Sequence, residues 1–255
     1  MMVKMNTWIL ALLICSSVVS VSGGATIINE NWSSQQIGDT SAGTVGQPAA
    51  AGELENWVRV PTNNVSTIIS DGQGGKTLQF TPNFTKIESR SPLGLAGSVE
   101  MTLSMEVENV GTTGDYFFFQ IQDTATGKRY LLQWNNSQYF ILKDSAATLK
   151  LVNDSSTGLH TYKMHILFDD ANNQNVITGY IDGVEKLTYT DTSASRYIPA
   201  NTSSVSLGFL SGSASSNNHV NSIELTTVVP EPGSLSLMAI AGCLLISRRT
   251  WSRAR

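Results

Sequence analysis

The sequence predicts an all-β fold, an antiparallel sandwich or barrel, on three observations. Short β-prone runs recur through the middle of the chain, separated by Gly, Asn and Asp clusters. One run alternates strictly: Val99, Met101, Leu103, Met105 and Val107 face one way, while Glu100, Thr102, Ser104, Glu106 and Glu108 face the other. Strict alternation marks a strand buried on one side. Asp182-Gly183 then stands between two β-prone runs, and both residue types tolerate positive φ, as a two-residue hairpin needs.

The chain opens with a basic residue, Lys4, and an apolar run from Trp8 to Val19, followed by small residues from Ser20 to Ala25. That order predicts a secretory signal peptide over 1–25, with a signal helix. Cys15 makes no lipoprotein box, because Ile14 is bulky where such boxes need a small residue.

Strands are then expected at Trp57–Val60, Thr67–Ile69, Thr77–Phe80, Val99–Val107, Tyr116–Gln122, Arg129–Trp134 and Gln138–Leu142. Six more follow at Leu149–Val152, His160–Phe168, Val176–Ile181, Val184–Tyr189, Val205–Leu210 and Val220–Thr227. Thr126-Gly127 is a second, weaker turn signal.

The end of the chain has three parts: Pro230-Glu231-Pro232, an uncharged run of 12 residues from Leu235 to Ile246, and a tail with Arg248, Arg249, Arg253 and Arg255. The prolines end the preceding strand and hold the segment extended. The apolar run predicts a short helix, well under the roughly 20 residues of a permanent span. Basic residues beyond it hold that end on the cytoplasmic side.

Both cysteines, Cys15 and Cys243, fall in the two ends, so residues 26–228 contain none. A domain of this size buries enough surface without disulfides. Of the 16 Lys and Arg residues five lie in the ends, against one of the 20 acids, Glu231; residues 26–228 therefore carry 11 basic and 19 acidic residues, a net charge of −8. An acidic body of this kind argues against nucleic acid as a partner.

The tail resembles the PEP-CTERM sorting signal of bacteria. The matching residues are Pro230, Glu231 and Pro232, then the apolar run, then Arg248 and Arg249. The resemblance implies processing by an exosortase, a membrane-embedded cysteine protease and transpeptidase. It also implies a transient membrane anchor through the apolar helix and delivery to the cell envelope, cell surface or extracellular matrix. Residues 229–255 are assigned to this signal.

The body, 26–228, resembles the concanavalin A-like, laminin-G-type jelly roll. Asn29-Glu30-Asn31-Trp32 is similar to the family's opening strand, and Gln120 to Asp123 with Thr126-Gly127 and Tyr130 to Trp134 is similar to its central hairpin. Gly158 to Ile166 and Tyr180 to Leu187 resemble a later strand and hairpin. Val220 to Leu225 takes the closing place, with Asn221-Ser222 where relatives often carry Asp-Asn. The resemblance implies an antiparallel β-sandwich, of which one sheet face is concave and binds carbohydrate in relatives.

The carbohydrate-binding candidates are aromatic and amide side chains. Tyr116, Phe118, Gln120 and Gln122 share one face of their strand, rings for stacking on a sugar and amides for its hydroxyls. Tyr130 and Trp134 share one face of the next strand and are expected to extend the platform. The competing assignment is core packing, since rings in a sandwich are buried more often than not.

Catalysis is not expected, and no catalytic or metal residue is assigned. Some sandwich hydrolases carry a Glu-x-Asp-x-x-Glu pattern, and two carboxylates must flank the scissile bond. Glu106 and Glu108 supply two acids on one face, but Gly111 stands in the third place. That pair is the seat of the alternative, a polysaccharide hydrolase or lyase of the same fold. His160 and His165 lie five apart on one expected strand and face opposite ways, and His219 is distant. Ser70 to Thr77 mimics a phosphate loop, but it lacks the first Gly and precedes a strand, so it reads as a turn. No cofactor is expected; calcium at Asp169-Asp170 finds no ligand spacing to support it. A third role is a structural or adhesive matrix component that binds no sugar.

Overall fold

Alternation along the chain becomes pairing in space. The structure, a computed structural model, describes residues 25–39, 57–60, 66–80, 85–89, 93, 98, 100–109, 116–135, 139–144, 147–154, 158–200, 202, 205–212 and 218–228. The expected signal peptide, its helix, the sorting motif and the short apolar helix all lie outside the described residues, apart from Ala25.

The strands are β1 (Ala25–Glu30), β2 (Trp57–Val60), β3 (Ser66–Ser70), β4 (Lys76–Phe80), β5 (Thr85–Ser89), β6 (Glu100–Asn109), β7 (Tyr116–Asp123) and β8 (Arg129–Asn135). They continue as β9 (Tyr139–Lys143), β10 (Thr148–Asn153), β11 (Gly158–Asp169), β12 (Gln174–Ile181), β13 (Val184–Asp191), β14 (Val205–Gly212) and β15 (His219–Val228). The first sheet runs β13-β12-β11-β6-β15-β4-β3, with β1 also paired to β15; the second runs β10-β9-β8-β7-β14-β5-β2. The chain crosses repeatedly between the two sheets of a jelly-roll-like sandwich, with β7–β10 consecutive in the second and β11–β13 in the first, and all the pairs are antiparallel.

The core lies between the sheets. Met101, Leu103, Met105 and Val107 of β6 are buried on one side; Phe117, Phe119 and Ile121 of β7 are buried on the other. The Phe117 ring meets Tyr162 of β11 edge-on at 4.7 Å and stacks on Trp134 at 5.8 Å, so one ring joins both sheets. Edge and offset contacts of this kind add to area burial. Burying side chains at these central positions drives the layers together far more than any single pair does.

The expected strands form, with ends shifted by a residue or two, except the opening one: it is expected at Asn29–Trp32 and is found at Ala25–Glu30, with Asn31 and Trp32 beyond its end. β5 is the strand the sequence did not announce. Its one apolar residue is Ile87, between Thr, Lys, Glu and Ser. Pairing with β14 and β2 on either side makes it a strand regardless of its composition. At the β12–β13 turn Asp182 and Gly183 have φ of 51° and 77°, the two positive values of a tight hairpin turn.

Ser70–Lys76 closes the β3–β4 hairpin. Asp71 Oδ1 accepts from the backbone N–H groups of Gln73 and Gly75 at 2.8 and 2.9 Å. A carboxylate thus occupies the place a phosphate would need, and a strand follows.

Candidate functional site

The site candidate is the face of the second sheet turned away from the core. In β7, Phe117, Phe119 and Ile121 point inward, so alternation turns Tyr116, Phe118, Gln120 and Gln122 outward. The register then says which neighbours share that face. Tyr116 lies opposite Asn135, Phe118 opposite Gln133, Gln120 opposite Leu131 and Gln122 opposite Arg129. On the other flank Gly208 lies opposite Gln120, and Ser206 opposite Gln122. Beyond β8, Ile141 pairs with Gln133 and Lys143 with Leu131.

Tyr116, Phe118 and Gln122 are half-buried. Burial raises the Tyr116 phenol above its ordinary range, so it is a neutral hydroxyl at physiological pH. Gln120 is different: it lies on the expected face but is 0% exposed. Its Nε2 donates to Gln122 Oε1 at 3.3 Å, and its Oε1 has no donor. Gly208 makes room for it, since a Cβ there would lie 3.0 Å from Gln120 Cγ and Nε2. Lys143 Nζ donates to Gln133 Oε1 at 3.4 Å.

Tyr130 and Trp134 do not extend this platform. They lie opposite Ile121 and Phe117, with which they share the core side, and are 0% and 1% exposed. Their spacing shows only that the two rings share a face. Which face follows from the cross-strand register, and β8 has apolar residues on both: Leu131 is nearly as buried as Leu132. Tyr130 instead anchors a buried polar cluster. Its hydroxyl donates to Asp191 at 3.2 Å and accepts from Asn175 Nδ2 at 3.2 Å. Burial first, and then the Asp191 charge, push the phenol far up.

Arg196 grips Asp191 with two bonds, Nε to Oδ2 at 2.7 Å and Nη2 to Oδ1 at 3.0 Å. This clamp was not read from the sequence. A short-range Asp-x-x-x-x-Arg spacing in a polar loop carries no signal that the Asp is fully buried.

The other acidic and basic candidates are also placed. Glu106 and Glu108 stand on the outer face of the first sheet, on the opposite side of the sandwich from Tyr116 and Phe118, and Glu108 holds His219 Nδ1 at 3.1 Å. His160 and His165 do face opposite sides of β11. His160 Nδ1 meets Asp182 Oδ2 at 2.6 Å, and His165 Nε2 meets Glu100 Oε2 at 3.4 Å. Asp169 accepts from Asn172 and Gln174, and those bonds lower its pKa. Asp170 accepts from the Tyr197 hydroxyl and the Ala200 N–H. Protein donors thus occupy both carboxylates. Among the described residues no group of three His, Cys, Asp or Glu side chains is placed to hold a metal ion. Pro230, Glu231, Pro232, Arg248 and Arg249 lie outside the described residues.

No family model matches this chain, and no curated protein sequence does. Solved structures do match. The endo-1,3-beta-glucanase from Streptomyces sioyaensis is 14% identical, covering 82% of this chain and 98% of its own, with a TM-score of 0.55. The carbohydrate esterase vb_24B_21 from the Shiga toxin-encoding bacteriophage phi24B is 12% identical, covering 81% and 100%, with a TM-score of 0.52. The likeness is one of fold. Peanut lectin follows at 14% identity, 81% and 98% coverage and a TM-score of 0.49. The chain shares its sandwich architecture with proteins of differing activity, and at such identity the site has to be argued from its own residues.

Proposed function

We propose that residues 26–228 form a non-catalytic carbohydrate-binding module, with the outward face of β7 as its contact surface. The observation that carries the reading is the alternation of β7: half-buried Tyr116 and Phe118 in line with Gln122, on the side away from the core. A ring face stacks on the apolar face of a sugar, and a nearby amide bonds its hydroxyls, the usual composition of a small-ligand surface. Fold likeness to a glucanase and a carbohydrate esterase adds analogy for carbohydrate as the ligand class, and none for the absence of catalysis.

Against hydrolysis on this face stands its acid content. Among the described strand residues that share the face, Glu88 of β5 is the one carboxylate. Two-carboxylate glycoside hydrolysis needs a second across the bond.

The module is read as exported by the signal peptide over 1–25 and sorted to the cell surface or matrix by an exosortase acting near Pro230-Glu231-Pro232. Before processing, the apolar run after Pro232 anchors it in the membrane.

The test is a glycan screen of the Gly24–Val228 unit, which holds every strand and every core residue named above. Glycan retained without new reducing ends supports the reading. New reducing ends show an enzyme, and absence of binding to every glycan favours a structural matrix role.

A further inference from the structure

The same face carries two cations that the protein leaves without an acid. Gln122 lies opposite Arg129, and Leu131 opposite Lys143, so both basic side chains stand on the outward side of β8 and β9, at the Gln122 end of the face and along the strands from Phe118 and Tyr116. Both are half-buried. The Arg129 side chain makes no hydrogen bond or ion pair among the described residues, and its Nε is covered and without an acceptor. Lys143 has one neutral contact, the long bond to Gln133 Oε1.

The contrast with the other cations is what gives this weight. Arg196 clamps Asp191, Lys186 meets Asp154 at 3.0 Å, Lys128 caps two backbone carbonyls, and Lys163 sits over the Tyr180 ring at 4.2 Å. Two of these four hold acids and two hold other acceptors, whereas Arg129 holds neither. Here the acids lie elsewhere: Glu100, Glu106, Glu108 and Glu224 line the outer face of the first sheet. Glu88, the carboxylate on the shared face, is separated from Arg129 and Lys143 by β14 and β7. A half-buried guanidinium with no acceptor from the protein leaves its terminal N–H donors to water or to a ligand.

We propose that this face takes an acidic polysaccharide. Arg129 and Lys143 hold its carboxylate or sulfate groups, while Tyr116 and Phe118 stack on its rings and Gln122 bonds its hydroxyls. The inference rests on the reading of the face as a glycan platform and adds the charge of the ligand. A planar guanidinium suits carboxylate and sulfate alike, through paired N–H donors. The acidic remainder of the unit repels a polyanion at long range, but at physiological salt that field decays over about 8 Å and the contact charges decide.

The experiment compares binding of the Gly24–Val228 unit to polygalacturonate, to the same polymer with its carboxyls reduced to alcohols, and to dextran beside dextran sulfate. Each is measured at low and high salt for the wild type, Arg129→Gln, Lys143→Gln, and Tyr116→Ala with Phe118→Ala. Tighter binding to an acidic polymer than to its neutral partner is expected, falling with salt and by about tenfold for Arg129→Gln, the scale of one charge-assisted hydrogen bond. The polymer that shows this difference tells carboxylate from sulfate. Equal binding of charged and neutral partners, lost in the double aromatic variant, would overturn the charge inference and leave the platform standing. So would acidic-polymer binding that Arg129→Gln and Lys143→Gln leave unchanged. Binding to no polymer by a folded unit would overturn both.

Discussion

Trp32 Nε1 donates to the carbonyl of Val220 at 2.7 Å, joining residues 188 apart in the chain. The indole is fully buried, and Trp32 takes a positive φ of 60° just after β1 to reach its place. It therefore fastens the first strand of the unit to the last. Trp32→Phe keeps most of the ring and removes the donor, leaving a buried carbonyl unsatisfied, at a cost of about 1–3 kcal/mol. Trp32→Ala also opens a cavity and costs about 3–5 kcal/mol. Urea titrations read both, and equal midpoints for wild type and Trp32→Phe would show that the bond contributes nothing.

The placement of Tyr130 makes a clean comparison with Tyr116. Tyr130→Phe removes the hydroxyl that joins Asp191 and Asn175, costing about 1 kcal/mol and leaving glycan binding unchanged. Tyr116→Ala has the opposite pattern: little loss of stability for a half-exposed ring and a marked loss of glycan retention. Denaturation midpoints and affinity electrophoresis on the same two variants check this. A Tyr130→Phe variant that loses binding would return that ring to the platform.

Two glycines separate core from site. A Cβ on Gly179 would lie 2.9 Å from Phe140 Cε1, 3.1 Å from Leu187 Cγ and 3.2 Å from Leu132 Cδ1, all inside the sandwich. Gly179→Ala therefore overpacks a rigid core, for about 1–3 kcal/mol. Gly208→Ala presses instead on the flexible Gln120 side chain, which can turn. Its stability cost is expected to be the smaller, and its effect on glycan binding the larger. The reverse ranking would show that Gln120 is held as firmly as the core rings.

These cases also show where the sequence was sufficient. Alternation on one strand identifies its two faces, as β6 and β7 do, and Asp182-Gly183 names its own turn. Alternation does not say which face of the next strand meets which. That is why Tyr130 and Trp134 were expected beside Tyr116 and are found behind it, and why Gln120, on the expected face, is sealed by its neighbours. β5 and the Asp191–Arg196 clamp were illegible for a related reason. Both depend on long-range partners, the strands β14 and β2 for one and the burial of Asp191 for the other, and local composition is silent about partners.

Removal of Arg196 is the sharpest test of that clamp. Asp191 is 0% exposed and accepts two bonds from the guanidinium; the carboxylate in turn raises the pKa of Arg196. Arg196→Ala leaves a buried carboxylate facing only Tyr130 and the Ser193 N–H, a loss of about 3–5 kcal/mol. Arg196→Lys restores the charge without the fork and recovers part of it. If Arg196→Ala unfolds no earlier than wild type, the clamp is incidental.

Asp182 sets the acid limit of a hairpin. Burial opposes its charge, but the Thr161 N–H at 2.9 Å and His160 at 2.6 Å outweigh that and lower its pKa. A depressed folded pKa stabilises the folded state above the unfolded value, about 3.9, and the gain is lost as pH falls through the folded value. Asp182→Asn keeps a residue that accepts the positive φ of this turn, and it removes the titration. The variant is expected to be less stable than wild type at neutral pH, with the difference closing below about pH 4. Thermal melts across that range decide it, and a difference independent of pH would mean that the hairpin needs the side-chain shape and not its charge.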